Sequence, residues 1–173
     1  WAPEVAARTY GPDADTRFAE FRNGNVWDLI FAKHAAMLRV GNAVEVSDPN
    51  DLSASNPNTL FVHAGIDLRW FEWAGLPAAE TIEVDRVNEF VRRILARETP
   101  DEADRILNDP SSPMWTRSLS GDFPPCGAHI DGILKKFRVA RIVVGHTPQA
   151  DGVVKAHCGG KIVITDVATS RWM

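Results

Sequence analysis

Cysteine is scarce in this chain: Cys126 and Cys158 are the whole supply, too few for a disulfide framework or a zinc ribbon. The two could pair with each other, but they are expected as free, buried thiols. No apolar run approaches the roughly 20 residues needed to span a membrane, and no signal-peptide pattern opens the chain. A basic excess is also lacking. The net charge of −4 argues against a general nucleic-acid binder, which neutralises phosphates with surplus lysine and arginine, while leaving room for a local basic pocket that takes one phosphate. Repeats, low-complexity tracts and interdomain linkers are missing too. The 173 residues, 45% hydrophobic and 24% charged, therefore read as one domain over 1–173, long enough for a real core.

Two stretches share one grammar. In Arg141-Ile142-Val143-Val144-Gly145-His146-Thr147-Pro148, a short β-branched run predicts a buried strand bounded by turn residues. Gly145 is expected to let the backbone leave the strand at an angle, and Pro148 stops the strand from continuing. His146 is thus presented at the carboxyl end of a strand, where ligands collect in open α/β sheets. In Leu60-Phe61-Val62-His63-Ala64-Gly65-Ile66 an apolar strand again delivers a histidine beside a glycine. Each histidine alone reads equally well as an ordinary loop residue. As a pair from separate strand ends they could make half of a site for zinc, iron or manganese, since neutral imidazole is the commonest protein metal ligand.

Phe-Val-His-Ala-Gly-Ile followed by Val-Val-Gly-His-Thr-Pro, with Trp115-Thr116-Arg117 between them, resembles the two C-terminal metal motifs of calcineurin-like metallophosphoesterases. The resemblance is closest to the phosphoprotein-phosphatase branch, in particular the Shewanella-like protein phosphatases. Ala64 departs from the Gly-Gly of typical protein phosphatases and matches the form found in diadenosine tetraphosphate hydrolases. Pro148 stands where generic phosphodiesterases carry a further histidine, which favours the protein-phosphatase type. Pro113-Met114-Trp115-Thr116-Arg117 is similar to the family's Pro-Leu-Trp-x-Arg element, whose arginine reaches the substrate phosphate. A guanidinium suits that task, being permanently charged and able to hold two phosphate oxygens at once; a surface arginine paired with Asp122 is the plainer alternative.

The family's earlier motifs, Gly-Asp-x-His-Gly, Gly-Asp-x-x-Asp-Arg-Gly and Gly-Asn-His-Glu, are absent. The resemblance thus covers the C-terminal half of a catalytic domain, and the opening Trp1-Ala2-Pro3 leads us to expect a processed chain or a segment of a longer one. It implies an α/β fold: two mixed β-sheets packed as a sandwich flanked by helices, with only the C-terminal part in this chain. It implies two divalent ions (manganese, iron or zinc) sharing a hydroxide that attacks phosphorus in line. His63 and His146 would be metal ligands and Arg117 would hold the substrate phosphate. The expected activity is hydrolysis of phosphomonoesters, on a phosphorylated protein (Ser/Thr or Tyr) or a small phosphoester. Two alternatives are a dinucleoside polyphosphate hydrolase and a non-catalytic binding module with an incomplete metal site. The upstream half of the domain is the implied partner; a membrane span and a nucleic-acid partner are not expected.

The remaining chain supplies scaffold. A loop and short helix are expected over 2–22, a helix over 26–36 and a strand over 35–40, with Trp1, Tyr10, Phe18 and Phe21 covering a core and His34 given no role. The Asn-, Asp-, Ser- and Pro-rich stretch 43–58 reads as a surface insertion, and its spacing does not fit an EF-hand. Trp70, Phe71 and Trp73 are expected to pack as a lid. Val84 to Arg97 carries apolar residues at helical spacing, with Arg86, Arg92, Arg93 and Arg97 on its solvated face. A short helix over 101–108, a helix over 126–137 with Ile130, Ile133, Leu134 and Phe137 inward, and a closing hairpin with Gly159-Gly160 in its turn and Ile162–Ile164 as last strand complete the reading. Asp166 is taken as structural, and no role is given to Asn88, His129 or His157.

Overall fold

The computed structural model describes residues 37–40, 51–52, 57–76, 81–95, 109–121 and 126–167. The elements expected over 2–36 and 101–108 and most of the stretch 43–58 lie outside these, as do Asp122 and Arg97. The described residues form an α/β unit around one five-stranded mixed sheet. Its strands are β1 (Met37–Val40), β2 (Thr59–Val62), β3 (Arg141–Val144), β4 (Lys155–His157) and β5 (Ile162–Ile164), in spatial order β1-β2-β3-β5-β4. The central pairs β2–β3 and β3–β5 are parallel, and the two edge strands run antiparallel. Parallel neighbours need a long crossover. Between β2 and β3 it contains α1 (Leu68–Trp73), α2 (Val84–Leu95) and α3 (Ala128–Phe137).

Alternation sorts the sheet into two faces. Leu60, Val62, Ile142, Val144, Ile162 and Ile164 point to one face and are buried with Met37. They join Trp70 and Phe71 of α1, Val87 and Val91 of α2, and Ile130, Ile133, Leu134 and Phe137 of α3 in one core. Phe71 meets Phe137 edge-on at 5.7 Å, and Trp70 meets Phe90 at 5.8 Å. Trp70 and Phe71 are therefore core residues rather than a lid. Asp67, the N-cap of α1, explains the position of that helix: its carboxylate accepts from the Arg69 backbone N–H and pairs with the Arg69 guanidinium. The helices read over 84–97 and 126–137 correspond to α2 and α3, with α3 starting two residues later than read, and the closing hairpin is formed by β4 and β5 around a 3₁₀ turn, Cys158–Gly160.

Two expectations are corrected. The cysteines are not free thiols: Cys126, just before α3, and Cys158, in the hairpin turn, form a disulfide with Cα atoms 5.3 Å apart. Sequence separation hid this, because α3 and β3 intervene and then fold the hairpin turn back beside the start of the helix. The second correction is at Gly145, which does not adopt a left-handed backbone. His146 does, at φ 63°. Gly145 serves in another way: a Cβ there would stand 3.3 Å from the His63 carbonyl oxygen, a tight approach. Only one sheet is found among the described residues, so a second sheet is not part of the observed fold.

Candidate metal centre and phosphate clamp

Parallel pairing places Val62 opposite Val144, so β2 and β3 end together. The ladder runs one step further, with the Gly145 N–H donating to the His63 carbonyl at 2.9 Å. His63 and His146 are thereby brought from 83 positions apart to one edge, where His63 Nε2 faces His146 Nδ1 at 3.1 Å. The left-handed backbone at His146 turns its ring back toward His63. Their ring centroids are 4.8 Å apart at an interplanar angle of 55°.

A third loop joins them. The turn 112–116, built on Trp115 and Thr116 N–H groups donating to the Ser112 carbonyl, lies against the His63 loop. The Ala64 N–H donates to the Pro113 carbonyl at 3.0 Å, and the Ser118 hydroxyl donates to the Ile66 carbonyl at 2.8 Å. Gly65 permits this approach, since a Cβ there would come within 3.2 Å of Thr116. Toward His146 the same loop is tied by a 2.7 Å hydrogen bond between the Ser120 and Thr147 hydroxyls. Trp115 packs on the His146 ring, centroid to centroid 5.1 Å, and the Arg117 guanidinium lies 5.5 Å from the Trp115 ring centroid. Each of the three residues singled out in the sequence, His63, Arg117 and His146, thus belongs to this one edge.

Burial favours the neutral form of both imidazoles. Partial burial is the main cause that lowers the pKa of each below its ordinary 6.5; at His146 the neighbouring His63 and the positive Arg117 lower it further. Asp166, just past β5, opposes the shift at both rings. That electrostatic reach is what sequence reading missed when Asp166 was taken as structural; only the parallel pairing of β3 and β5 shows that their ends share an edge. Trp115 was passed over too. Its place inside Trp-Thr-Arg was visible, but its contact with His146 was not.

Two neutral imidazole nitrogens 3.1 Å apart suit two chemistries. One nitrogen can donate a hydrogen bond to the other. They can also ligate one ion, because two bonds of about 2.0–2.1 Å at a tetrahedral or right angle separate the donor atoms by roughly 2.9–3.4 Å. The donor set is incomplete for a centre: among the described residues no three His, Cys, Asp or Glu side chains are grouped to hold a metal. His146 Nε2 is buried with no hydrogen-bond partner among them, and metal-ligating histidines usually give their second nitrogen an acceptor.

No protein-family model matches the chain. An uncharacterized protein of Schizosaccharomyces pombe is 29% identical over 112 residues, which are 61% of this chain and 30% of that protein. A crystal structure of a cold-active protein-tyrosine phosphatase of a psychrophile Shewanella species is 25% identical, with a TM-score of 0.49, covering 64% of this chain and 31% of its own. Two further structures of a cold-active protein tyrosine phosphatase give the same values. This chain thus spans about a third of the length of each protein it matches, and likeness of this degree assigns it neither a family nor an activity.

Proposed function

We propose that this chain is the C-terminal part of a metal-dependent phosphatase domain that hydrolyses phosphomonoesters, phosphorylated proteins among them. The observation that carries the reading is the convergence of His63 and His146 at 3.1 Å, with Arg117 poised beside them on Trp115. The two imidazoles would hold one ion and Arg117 would hold the phosphate oxygens, while an upstream segment would supply the missing ligands and the acceptor for His146 Nε2. When bound, divalent ions such as manganese, iron or zinc supply Lewis acidity that makes hydroxide available near neutral pH. The chain's own residues do the rest of the work assigned here. They keep both imidazoles unprotonated, orient them through the β2 and β3 ends, and set a permanent cation against the substrate's charge.

A two-sheet architecture is part of the proposal. On the sheet face opposite the helices, Phe61, Val143 and Val163 stand side by side in register, and Phe61 is 41% exposed. An apolar row of this kind fits a second sheet packed about 10 Å away.

The test compares metal content and p-nitrophenyl phosphate hydrolysis of this polypeptide with those of one extended upstream, each with and without His146→Ala. The reading expects about two ions and activity in the extended protein alone, both lost or sharply reduced by the substitution. An extended protein that stays metal-free and inactive overturns it in favour of a binding module. Faster hydrolysis of diadenosine tetraphosphate than of phosphopeptides would move the substrate to the dinucleoside polyphosphates.

A further inference from the structure

Trp115 is a large apolar side chain left 44% exposed at the edge that carries His63, His146 and Arg117. It has two neighbours there. The His146 ring packs at 54° to it, and the Arg117 guanidinium carbon sits over it. The backbone beneath is held by the Ser112 carbonyl, which accepts from both the Trp115 and Thr116 N–H groups at 2.9 and 2.8 Å. The indole is therefore held from below by a turn and from one side by a ring that is itself anchored on β3. Arg117 has no such support: it is exposed, and among the described residues its side chain has no salt bridge. An exposed arginine samples many rotamers, which opposes its ordering around an anion. A fixed indole face restricts that freedom and attracts the cation through its quadrupole.

We propose that Trp115 is a positioning residue: its indole, fixed against His146, holds the Arg117 guanidinium in the orientation that receives the substrate's phosphate oxygens. The proposal rests on the phosphate role given to Arg117 above. It makes Trp115 the coupling between the histidine edge and the phosphate clamp, so that both halves of the site move as one piece. Trp115 itself touches no reacting atom.

The experiment is a double-mutant cycle on the metal-loaded, upstream-extended protein, with the dissociation constant for inorganic phosphate measured by calorimetry. Arg117→Ala is expected to weaken phosphate binding roughly ten- to a hundred-fold, the range for losing charge-assisted hydrogen bonds. Trp115→Ala is expected to weaken it about two- to five-fold, and Trp115→Phe, which keeps a ring, to recover much of that loss. The decisive variant carries both alanines. If Trp115 acts through Arg117, it binds phosphate no more weakly than Arg117→Ala alone. Multiplying effects in the double variant overturn the proposal, as does unchanged binding in Trp115→Ala. Unchanged binding in Arg117→Ala overturns the phosphate role of Arg117 first and this inference with it. Because Trp115 lies outside the buried core, the melting temperature of each variant is expected to stay near that of the parent; a merely structural role would instead lower it without coupling to Arg117.

Discussion

At His146 the backbone adopts a conformation that glycine takes freely and other residues take at a cost of about 1–2 kcal/mol. Such strain persists where surrounding structure enforces it, and it concentrates at functional sites. A direct measure is available. His146→Gly should be more stable to urea than His146→Ala by about 1 kcal/mol, and equal midpoints would show that the backbone there is unstrained. Protonation offers a second measure. In the fold both imidazoles have pKa values below 6.5, so between the lowered value and 6.5 the unfolded chain binds more protons. Stability then rises with pH through that window and is lost as pH falls through it. Urea midpoints should drop on acidification below about pH 6.5, and the drop should shrink in a variant with both His63 and His146 replaced by glutamine. A third residue acts through hydrogen bonds alone. Asn88 is buried and clamps β1, accepting from the Met37 N–H at 2.9 Å and donating to the Met37 carbonyl at 2.8 Å. Asn88→Ala leaves both groups short of a partner and should destabilise by about 1–3 kcal/mol in urea titrations. The sequence showed an asparagine in a helix with no stated purpose; the clamp needs β1 beside α2, a contact across 51 positions.

At the scale of elements, what carries the site is the way three loop segments are stitched at strand ends. Gly65 and Gly145 stand where the backbones approach most closely. A methyl group at Gly145 would press on the His63 carbonyl, itself the acceptor of the Gly145 N–H. Gly145→Ala should therefore displace the histidine pair by a few tenths of an ångström and lower the proposed phosphatase activity of the upstream-extended protein about tenfold, with little change in melting temperature. Wild-type activity in this variant would show that the loops yield without moving the pair. The helices that frame these loops were legible from periodicity, α3 burying Ile130, Ile133, Leu134 and Phe137 as spaced; β3 was legible from its β-branched run, though it buries alternate residues rather than the whole run. The stitching was not, because it is made of main-chain groups and small residues that carry no hydropathy signal.

Across the whole molecule, the hairpin turn is bound to the start of α3 by two tethers. One is the Cys126–Cys158 disulfide, and the other is the ion pair between Lys161 and Asp131. The pair is partly exposed and should matter little. The disulfide closes a loop across 32 positions, which in the chain-entropy account is worth about 3–4 kcal/mol. Cys126→Ser should lower the urea midpoint accordingly, and the parent protein should match it after reduction. A parent protein insensitive to reductant would show that the thiols are not joined. These tethers lie toward the start of β5, while the histidines lie past the ends of β2 and β3. Removing the bridge should thus cost stability before it costs activity.

Local chemistry was sufficient for the α/β alternation and for the strand ends that deliver His63 and His146. Period and turn residues act over a few positions, so they can be read from a linear chain. The 3.1 Å approach of the two rings, the reach of Asp166 and the disulfide were settled by the packing that pairs β2, β3 and β5. Each joins residues whose distance depends on how strands order themselves in the sheet. That order follows from how the buried faces of the described helices and strands pack together, which no single stretch of the chain specifies.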